Sequence, residues 1–303
     1  MTDATNAIRP PRHRDNPTLW RWLTFSPALL AMLLLSVLPV ANLVLTSFQD
    51  VTWAQGQATR TWAGLTHYAA LPADPLFRAG LVNTLIFAFF AVGGQMVLGF
   101  ALALLCSRVT RGAVIYRAIF MLPILIPGIV IGAIWKLMLN YDFGLVNQTI
   151  GLVGLAAQDW LGQPSTALMS VVLVDIWHWT PFVFLLMLAG LESLPRDVFE
   201  AATVDGATGW NELRYITLPM MLPTILVTFA FRLVLAFKVF DEVYLLTGGG
   251  PGTSTEVISF TLYQRFFTED RVGFGSAMSV AVIFLVSMLL VIAIASRRRA
   301  EAS

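Results

Sequence analysis

The sequence predicts an all-α membrane protein with six transmembrane helices and with both termini in the cytoplasm. Apolar residues make up 57% of the 303 residues and charged residues only 12%, whereas soluble domains average about 25% charged. Six apolar segments are near or above the roughly 20 residues that cross a bilayer as a helix. They cover residues 25–48, 81–107, 119–139, 166–191, 221–240 and 273–296. A formal net charge of +1 leaves no basic surface of the kind that binds nucleic acid.

The distribution of arginine indicates the orientation of these spans. With the N-terminus inside, twelve arginines fall in cytoplasmic segments and four in outer loops. The inner ones are Arg9, Arg12, Arg14, Arg21, Arg108, Arg111, Arg117, Arg196, Arg214, Arg297, Arg298 and Arg299, and the outer ones are Arg60, Arg78, Arg265 and Arg271. Because Lys and Arg are enriched in cytoplasmic loops, both termini and the loop 192–220 are predicted to be cytoplasmic.

We divide the chain into three regions. Residues 1–76 hold a basic cytoplasmic tail, the first span and a polar outer loop, in which we expect one or two short strands or a surface helix. The first span is predicted to be retained, because no small-x-small cleavage pattern follows its long apolar run. Residues 77–296 hold the other five spans as one unit, and residues 297–303 form a basic cytoplasmic tail.

Glycine and proline interrupt the second and third spans. Gly93, Gly94 and Gly99 are small enough to allow close helix contacts in lipid, and Pro123 and Pro127 predict kinks. A packed bundle and a set of bent helices that rock to open a pathway are both compatible with this pattern. The outer loop 140–165 is weakly amphipathic, which predicts an interfacial helix.

The cytoplasmic loop between the fourth and fifth spans predicts two short helices joined at a glycine. Val198, Ala201 and Ala202 fall on one apolar face of the first helix. Gly206 can adopt a positive φ and so end that helix.

A second short helix should follow Gly206. Thr208 is a candidate for its N-terminal cap, and Pro219 disfavours helix in the residues before it. A short amphipathic helix held between spans can bury its apolar face in the groove of a partner protein. Glu200 would then be a polar contact at the edge of that groove.

The same stretch closely resembles the EAA loop of bacterial ABC importer permeases. The residues that carry the likeness are Glu200, Ala201, Ala202, Asp205, Gly206, Ala207, Ile216, Leu218 and Pro219. The resemblance covers residues 77–296 and implies the type I ABC importer membrane domain, with this loop docked on homodimeric ABC ATPase subunits. Since this chain has no GxxxxGK[ST] motif, ATP and Mg²⁺ would be bound by that partner. The chain itself would be a non-catalytic subunit with no cofactor or metal.

A glycine-rich segment follows the fifth span. Gly248, Gly249, Gly250 and Pro251 require non-helical backbone near the outer membrane face, which is tolerated only where protein or water covers it. The segment closely resembles the LTGGGP segment of carbohydrate-importer permeases of the maltose and glycerol-phosphate type. That resemblance implies a carbohydrate substrate and a gate or scoop at these residues. It also implies a solute-binding protein outside and a second homologous permease in a bacterial cytoplasmic membrane, although a homodimer stays open.

Polar and aromatic side chains in or beside the fourth and fifth spans are candidate substrate contacts. They are Asp175, Trp177, Trp179, Arg232, Asp241 and Tyr244. A charge at the bilayer centre costs about 2.5–3.5 kcal/mol on insertion scales and usually faces a cavity or a partner. Tryptophan faces can stack on sugar rings, but Trp177 and Trp179 also suit an interfacial aromatic belt. We interpret Lys238 and Glu242, at i and i+4, as a surface ion pair.

Two other function classes are compatible with parts of the sequence. A secondary transporter that works alone would need an ion-coupling carboxylate in the membrane, for which Asp175 is the clear candidate. An intramembrane serine protease would need a dyad, for which His178 and Ser276 are the candidates.

Overall fold

The structure is a computed structural model that describes residues 17–54, 57–109, 111–207 and 209–302. Within these ranges five helices are long and apolar enough to cross a membrane, and a shorter apolar helix lies at Gly128–Met138. The five are Thr24–Thr46, Pro75–Ser107, Pro164–Glu192, Trp210–Ala236 and Val272–Ile292. The predicted helical membrane bundle is therefore confirmed. Of the predicted terminal and loop features, the tail arginines at 9, 12 and 14, and Thr208, lie outside the described residues.

The first span consists of α1 (Pro17–Met32), a π-helical turn (Leu33–Val37) and α2 (Leu38–Thr46). In the most apolar stretch of this span, no residue is buried inside the protein. A two-stranded antiparallel hairpin follows, formed by β1 (Gln49–Ala54) and β2 (Gln57–Trp62). The outer loop thus contains the predicted strands, and it also contains a helix.

That helix, α3 (Thr66–Ala70), packs close to the outer end of the last span. His67 Nε2 lies 3.1 Å from a carboxylate oxygen of Asp50 on β1. The ring of His67 also meets the ring of Phe274 edge-on, with 6.2 Å between centroids. These contacts hold the hairpin and α3 against the last span.

The second and fourth spans, α4 (Pro75–Ser107) and α8 (Pro164–Glu192), form the centre of the bundle. Their backbones approach closely at Gly99, where an added Cβ would lie 2.7 Å from Val183 and 2.9 Å from the backbone nitrogen of Phe184. A small residue therefore allows the close contact between α4 and α8, as expected in lipid. At its outer end α4 is capped by Asp74, which accepts a hydrogen bond from the N–H of Phe77 at 2.8 Å.

The third predicted span, residues 119–139, is not a continuous helix. The chain forms α5 (Ala113–Met121), a 3₁₀ turn at Pro123–Leu125 and α6 (Gly128–Met138). Pro123 and Pro127 lack the N–H groups that would continue a helix, and Pro127 has extended backbone at ψ 139°. The predicted kinks are therefore complete interruptions. In the outer loop, α7 (Leu145–Leu152) forms where an amphipathic helix was predicted.

The cytoplasmic loop begins with α9 (Arg196–Val204), as predicted, but the second short helix does not end at Pro219. It starts as α10 (Trp210–Glu212), passes through a π-helical turn and continues as α11 (Leu218–Ala236). The π turn (Leu213–Thr217) ends two residues before Pro219 and includes Tyr215, the residue at i−4 whose carbonyl would otherwise meet the proline ring. The fifth span consequently starts at Trp210 and ends at Ala236, earlier than the predicted residue 240.

A re-entrant outer segment follows α11. It contains α12 (Asp241–Leu246), the glycine-rich loop and α13 (Ile258–Tyr263), then a π-helical turn (Gln264–Thr268) that leads to α14 (Val272–Ala302). The side-chain amide of Asn83 on α4 donates to the carbonyls of Thr253 and Glu256, both at 2.8 Å. The main hydrophobic core lies between this segment, α4, α8 and α14.

Candidate functional site

The helix α9 of the cytoplasmic loop ends in a defined C-terminal motif. The N–H of Ala207 donates to the carbonyl of Ala202 at 2.9 Å, and the N–H of Gly206 donates to that of Thr203 at 3.1 Å. Gly206 has φ 77°. This pair of bonds with a left-handed glycine is the Schellman arrangement. The predicted end of the helix is therefore a Schellman motif, and Gly206 provides its left-handed residue.

Most of the residues that resemble the EAA loop are accessible. Glu200, Ala201, Asp205, Gly206 and Pro219 are exposed. Ala207, Ile216 and Leu218 are half-buried, while Ala202 is buried.

Large apolar side chains extend this accessible surface. Val204 is 87% exposed and Trp210 is 67% exposed, on either side of the glycine turn. Beside α9 lies a cleft of about 520 Å³, lined by Ser107, Leu191, Glu192, Leu194, Arg196, Phe199, Glu200 and Thr203. The loop thus has one buried alanine, Ala202, an open polar cleft beside α9 and exposed apolar side chains.

The glycine-rich outer loop is held by Thr255, which is fully buried. Its hydroxyl is 2.7 Å from both the Thr247 hydroxyl and the Gly250 carbonyl. Gly249 has φ 85°, and an added Cβ would lie 2.5 Å from Glu256 Oε2 and 2.8 Å from the ring of Phe260. Gly248 and Gly252 also have positive φ, and the Gly250–Pro251 peptide bond is cis. Glycine is therefore required here by both conformation and space.

Glu256 lies under the same loop, and its Oε1 accepts a hydrogen bond from the Thr261 hydroxyl at 2.7 Å. Burial raises the pKa of the Glu256 carboxyl above its usual value, against the hydrogen bond from Thr261 and the charge of Arg265, which lower it.

A closed triangle of polar side chains lies in the centre of the bundle. Arg232 Nη2 is 3.1 Å from Asp175 Oδ2, and Arg232 Nε donates to Gln95 Oε1 at 2.7 Å. Gln95 Nε2 in turn donates to Asp175 Oδ2 at 2.7 Å. All three residues are at most 2% exposed. The guanidinium carbon of Arg232 also lies 4.7 Å from the ring centroid of Trp179.

A cavity of about 250 Å³ lies beside this triangle. It is lined by Gly128, Asp175, His178, Trp179, Leu235, Lys238, Val239, Phe240, Asp241 and Glu242. Of the predicted substrate contacts, the structure brings Asp175, Trp179 and Asp241 to this cavity. Arg232 is buried behind it, in the triangle.

The two other predicted contacts, Trp177 and Tyr244, do not line the cavity. Trp177 is 41% exposed and meets Trp135 edge-on, with 5.5 Å between centroids. Tyr244 stacks on Phe240 at 5.3 Å.

The predicted surface pair of Lys238 and Glu242 is wrong. The α11 helix ends before Lys238, so the two residues do not share a helix face, and Glu242 is buried. Its carboxylate lies 3.0 Å from His178 Nδ1. Sequence reasoning also missed Gln95. Its signal was a side-chain amide in the middle of the apolar second span, which in lipid needs a partner.

Comparison with known proteins decides the family. Residues 95–300 match the family described as "Binding-protein-dependent transport system inner membrane component". This chain belongs to that family. The predicted recognition is confirmed, and the chain is a multi-pass permease, a non-catalytic membrane subunit of a binding-protein-dependent transport system.

Similar proteins cover almost the whole chain. The permease is 35% identical over 266 residues to the trehalose/maltose transport system permease protein MalF of Thermococcus litoralis, covering 88% of this chain and 89% of the relative. It is 35% identical over 282 residues to the sulfoquinovosyl glycerol transport system permease protein SmoG of Agrobacterium fabrum, covering 90% of this chain and 91% of the relative.

Solved structures share the fold. A chain of a bacterial alginate ABC transporter in complex with an alginate pentasaccharide-bound periplasmic protein superposes with a TM-score of 0.82 at 24% identity. The match covers 94% of this permease and 96% of that chain. Family membership leaves the intramembrane protease and the independent secondary transporter without support. Among the described residues, His178 is hydrogen-bonded to Glu242 rather than to Ser276.

Proposed function

We propose that this permease is one membrane subunit of an ATP-driven importer of a sugar or sugar derivative, driven by a separate ATPase through residues 195–219. The observation that carries the proposal is α9, a short helix between two spans that ends in the Schellman motif at Gly206 and is exposed along most of its surface. The printed names of the relatives, which include trehalose/maltose and sulfoquinovosyl glycerol systems, support the substrate class.

The exposed surface of the loop fits a protein groove. Val204 and Trp210 are large apolar side chains in a polar loop, and such exposed apolar surface is typical of a binding site. A short helix with exposed Glu200 and Ala201 can enter a groove by its small-residue face, with the carboxylate at the rim. Ala202, one position further along the helix, is buried, so a partner meets the helix on the side of Glu200 and Ala201.

The remaining components of the proposal are those that the resemblance to the family implies. Homodimeric ABC ATPase subunits bind ATP and Mg²⁺, and no cofactor is bound by this chain. A second homologous permease completes the membrane part in a bacterial cytoplasmic membrane, and a solute-binding protein docks on the outer loops. ATP-driven closure can favour the outward-facing state only if ATP binds that state more tightly.

The solute meets the cavity beside the polar triangle. Trp179 offers a ring face to the C–H surface of a sugar, and Asp175 and Asp241 can accept hydrogen bonds from its hydroxyls. Gly248, Gly249, Gly250 and Pro251 form the outer wall of the path as a gate or scoop, close to Tyr244.

Charge reversal at Glu200 tests the coupling. In the complete transporter, Glu200→Arg should reduce co-purification of the ATPase and ATP-dependent uptake by about tenfold or more, because a charge of the wrong sign then faces the partner surface that fits Glu200. Asp142→Arg is the matched control for co-purification of the ATPase, since Asp142 is exposed on the outer side of the membrane, away from that partner. Wild-type attachment and uptake in Glu200→Arg and in Ala201→Trp would overturn the proposal.

A further inference from the structure

A series of aromatic rings connects the outer rim of the protein to the cavity. Phe267 lies 5.5 Å from Tyr263 between ring centroids, and Tyr263 lies 5.2 Å from Phe240. Tyr244 stacks on Phe240 at 5.3 Å with an interplanar angle of 21°. Phe240 itself lines the cavity that contains Trp179. The rings therefore form an unbroken series that ends at the candidate solute site.

Contacts with α4 show which end of this series of rings lies outside and which lies deeper in the protein. Arg265 forms an ion pair with Asp74, directly before the start of α4. The glycine-rich loop contacts Asn83, which lies nine residues further along α4 and so about 13 Å deeper. Phe267 follows Arg265 and is at the outer end, whereas Phe240 precedes the loop and is at the inner end.

The chemistry of the outer end does not suit lipid tails. Phe267 is 78% exposed, and the exposed residues Glu269, Asp270 and Arg271 lie two to four positions after it. Glu269 is paired with Arg265 and Arg271, and hydrocarbon would have to cover this charged cluster, which is unfavourable even for paired charges. Phe267 is therefore in contact with water or with a polar ligand.

The inner rings carry free polar groups. In the part of the chain that the structure describes, the phenolic hydroxyls of Tyr244 and Tyr263 have no hydrogen-bond partner. A tyrosine ring offers an apolar face and a polar edge. A ligand with apolar C–H faces and hydroxyls around its edge, which is the chemistry of a carbohydrate, matches both features.

The glycine-rich loop positions the base of this series. Phe260 is 5% exposed and lies 6.2 Å from Tyr244 and 6.4 Å from Tyr263 between centroids. Its ring fits against Gly249, where a Cβ would lie 2.8 Å from it. Gly249 thus leaves room for the ring on which the two tyrosines rest.

We propose that Phe267, Tyr263, Tyr244 and Phe240 form an aromatic track along which a carbohydrate chain moves from the outer rim to the cavity. The track rests on the proposed function, because it needs a carbohydrate as the imported solute. It adds a binding surface outside the cavity, with Phe260 and Gly249 as positioning residues.

The test uses the complete transporter with its ATPase, second permease and binding protein in proteoliposomes, with maltose, maltotetraose and a panel of other neutral oligosaccharides of two and four units as probes. Phe267→Ala and Tyr263→Ala should lower kcat/KM for tetrasaccharide uptake by about tenfold, the loss of one favourable ring contact. The loss for the disaccharide should be smaller, because a longer chain occupies more of the track. Tyr263→Phe, which keeps the ring, should have an intermediate effect.

Phe89→Ala is the matched control, since Phe89 is 74% exposed on α4 and contacts Phe90 at 5.2 Å between centroids. Equal losses for both chain lengths, or loss of the second permease on purification, would show a structural or subunit contact and overturn the track. Unchanged uptake in both variants would also overturn the track. A wild-type complex that imports only solutes other than carbohydrates would overturn the track and the substrate class of the proposed function together. Absence of any ATP-dependent uptake by the wild-type complex would instead contradict the proposed function.

Discussion

The polar triangle inside the bundle and the helix α9 on its cytoplasmic side use polar residues in opposite ways. In the triangle, Arg232, Asp175 and Gln95 satisfy one another and are almost fully buried. In α9, Glu200 and Ala201 are exposed beside an open cleft.

This difference shows which polar side chains are accessible to a partner and which are not. Burying a charge in the membrane costs about 2.5–3.5 kcal/mol, and the triangle offsets this cost by internal pairing. Arg232 is held by its two partners inside the bundle, whereas Glu200 and Ala201 on α9 are exposed. A charged residue within a span is therefore not by itself a sign of a ligand contact.

The largest effect should come from breaking the triangle. Arg232→Met leaves Asp175 buried without its cation and should lower the free energy of unfolding by about 3–5 kcal/mol. Thermal melting of the detergent-solubilised permease measures this loss. The double variant Arg232→Met/Asp175→Leu should melt closer to wild type, and Lys238→Met, at an exposed position, should have little effect. A wild-type melting curve for Arg232→Met would show that the triangle contributes nothing.

Close packing around the triangle should give the next largest effect. Gly99→Ala places a methyl group against Val183 and the backbone of Phe184, which should cost about 1–3 kcal/mol. Gly93→Ala is the matched control, because no atom lies within 4 Å of an added Cβ there. In that variant the better helix propensity should be neutral or stabilising by up to about 1 kcal/mol. Equal melting temperatures for the two variants would contradict the close contact between α4 and α8.

Substitution of Gly206 in the exposed cytoplasmic loop should change the stability of the bundle less than the substitutions above, and should mainly weaken the coupling to the ATPase. Gly206→Ala forces a side chain into φ 77° with no steric clash, so it should cost about 1–2 kcal/mol locally. We expect faster amide exchange in α9 and reduced ATP-dependent uptake, with an almost unchanged melting temperature of the bundle. Gly206→Asn should be milder, because asparagine tolerates this conformation better. A large drop in bundle stability would mean that α9 belongs to the core.

The smallest effect concerns the outer end of α4. Burial by itself would raise the pKa of Asp74, but the hydrogen bond from the Phe77 N–H and the Arg265 guanidinium outweigh it and lower the pKa below its ordinary value of 3.8. Its stabilisation is therefore complete above about pH 4 and is lost as the pH falls through the lower, folded-state pKa. Asp74→Ala should cost about 1 kcal/mol at neutral pH.

Melting of both proteins between pH 3 and pH 6 tests this point. The difference between wild type and Asp74→Ala should shrink at the acid end. A difference that grows there would reverse the sign of the shift.

Sequence reasoning was most successful where a local signal determines the structure. The apolar segments, the glycine that ends α9 and the amphipathic outer helix each depend on residues close together in the chain. The sequence predicted a kink at Pro127, but the helix is fully interrupted there. That interruption involves a contact with α12 that the local sequence does not show, because an added Cβ at Gly128 would lie 2.9 Å from Asp241.

The remaining features depend on residues far apart in the chain. Gln95 and Arg232 are 137 positions apart, and His178 and Glu242 are 64 apart. No local pattern indicates such partners, so an i,i+4 spacing wrongly paired Glu242 with Lys238. The π turn before Pro219 was also missed, because a widened turn lets helix precede a proline that would otherwise end it.

That widened turn leaves the fifth span as a single rod of 27 residues from Trp210 to Ala236, about 40 Å long. Its inner tip belongs to the loop beside α9, and Arg232 lies near its other end. A rotation imposed at Trp210 would therefore turn the same helix that carries Arg232. Gly206 and Gly209, both with positive φ, lie between α9 and this helix, so α9 can reorient relative to the fifth span.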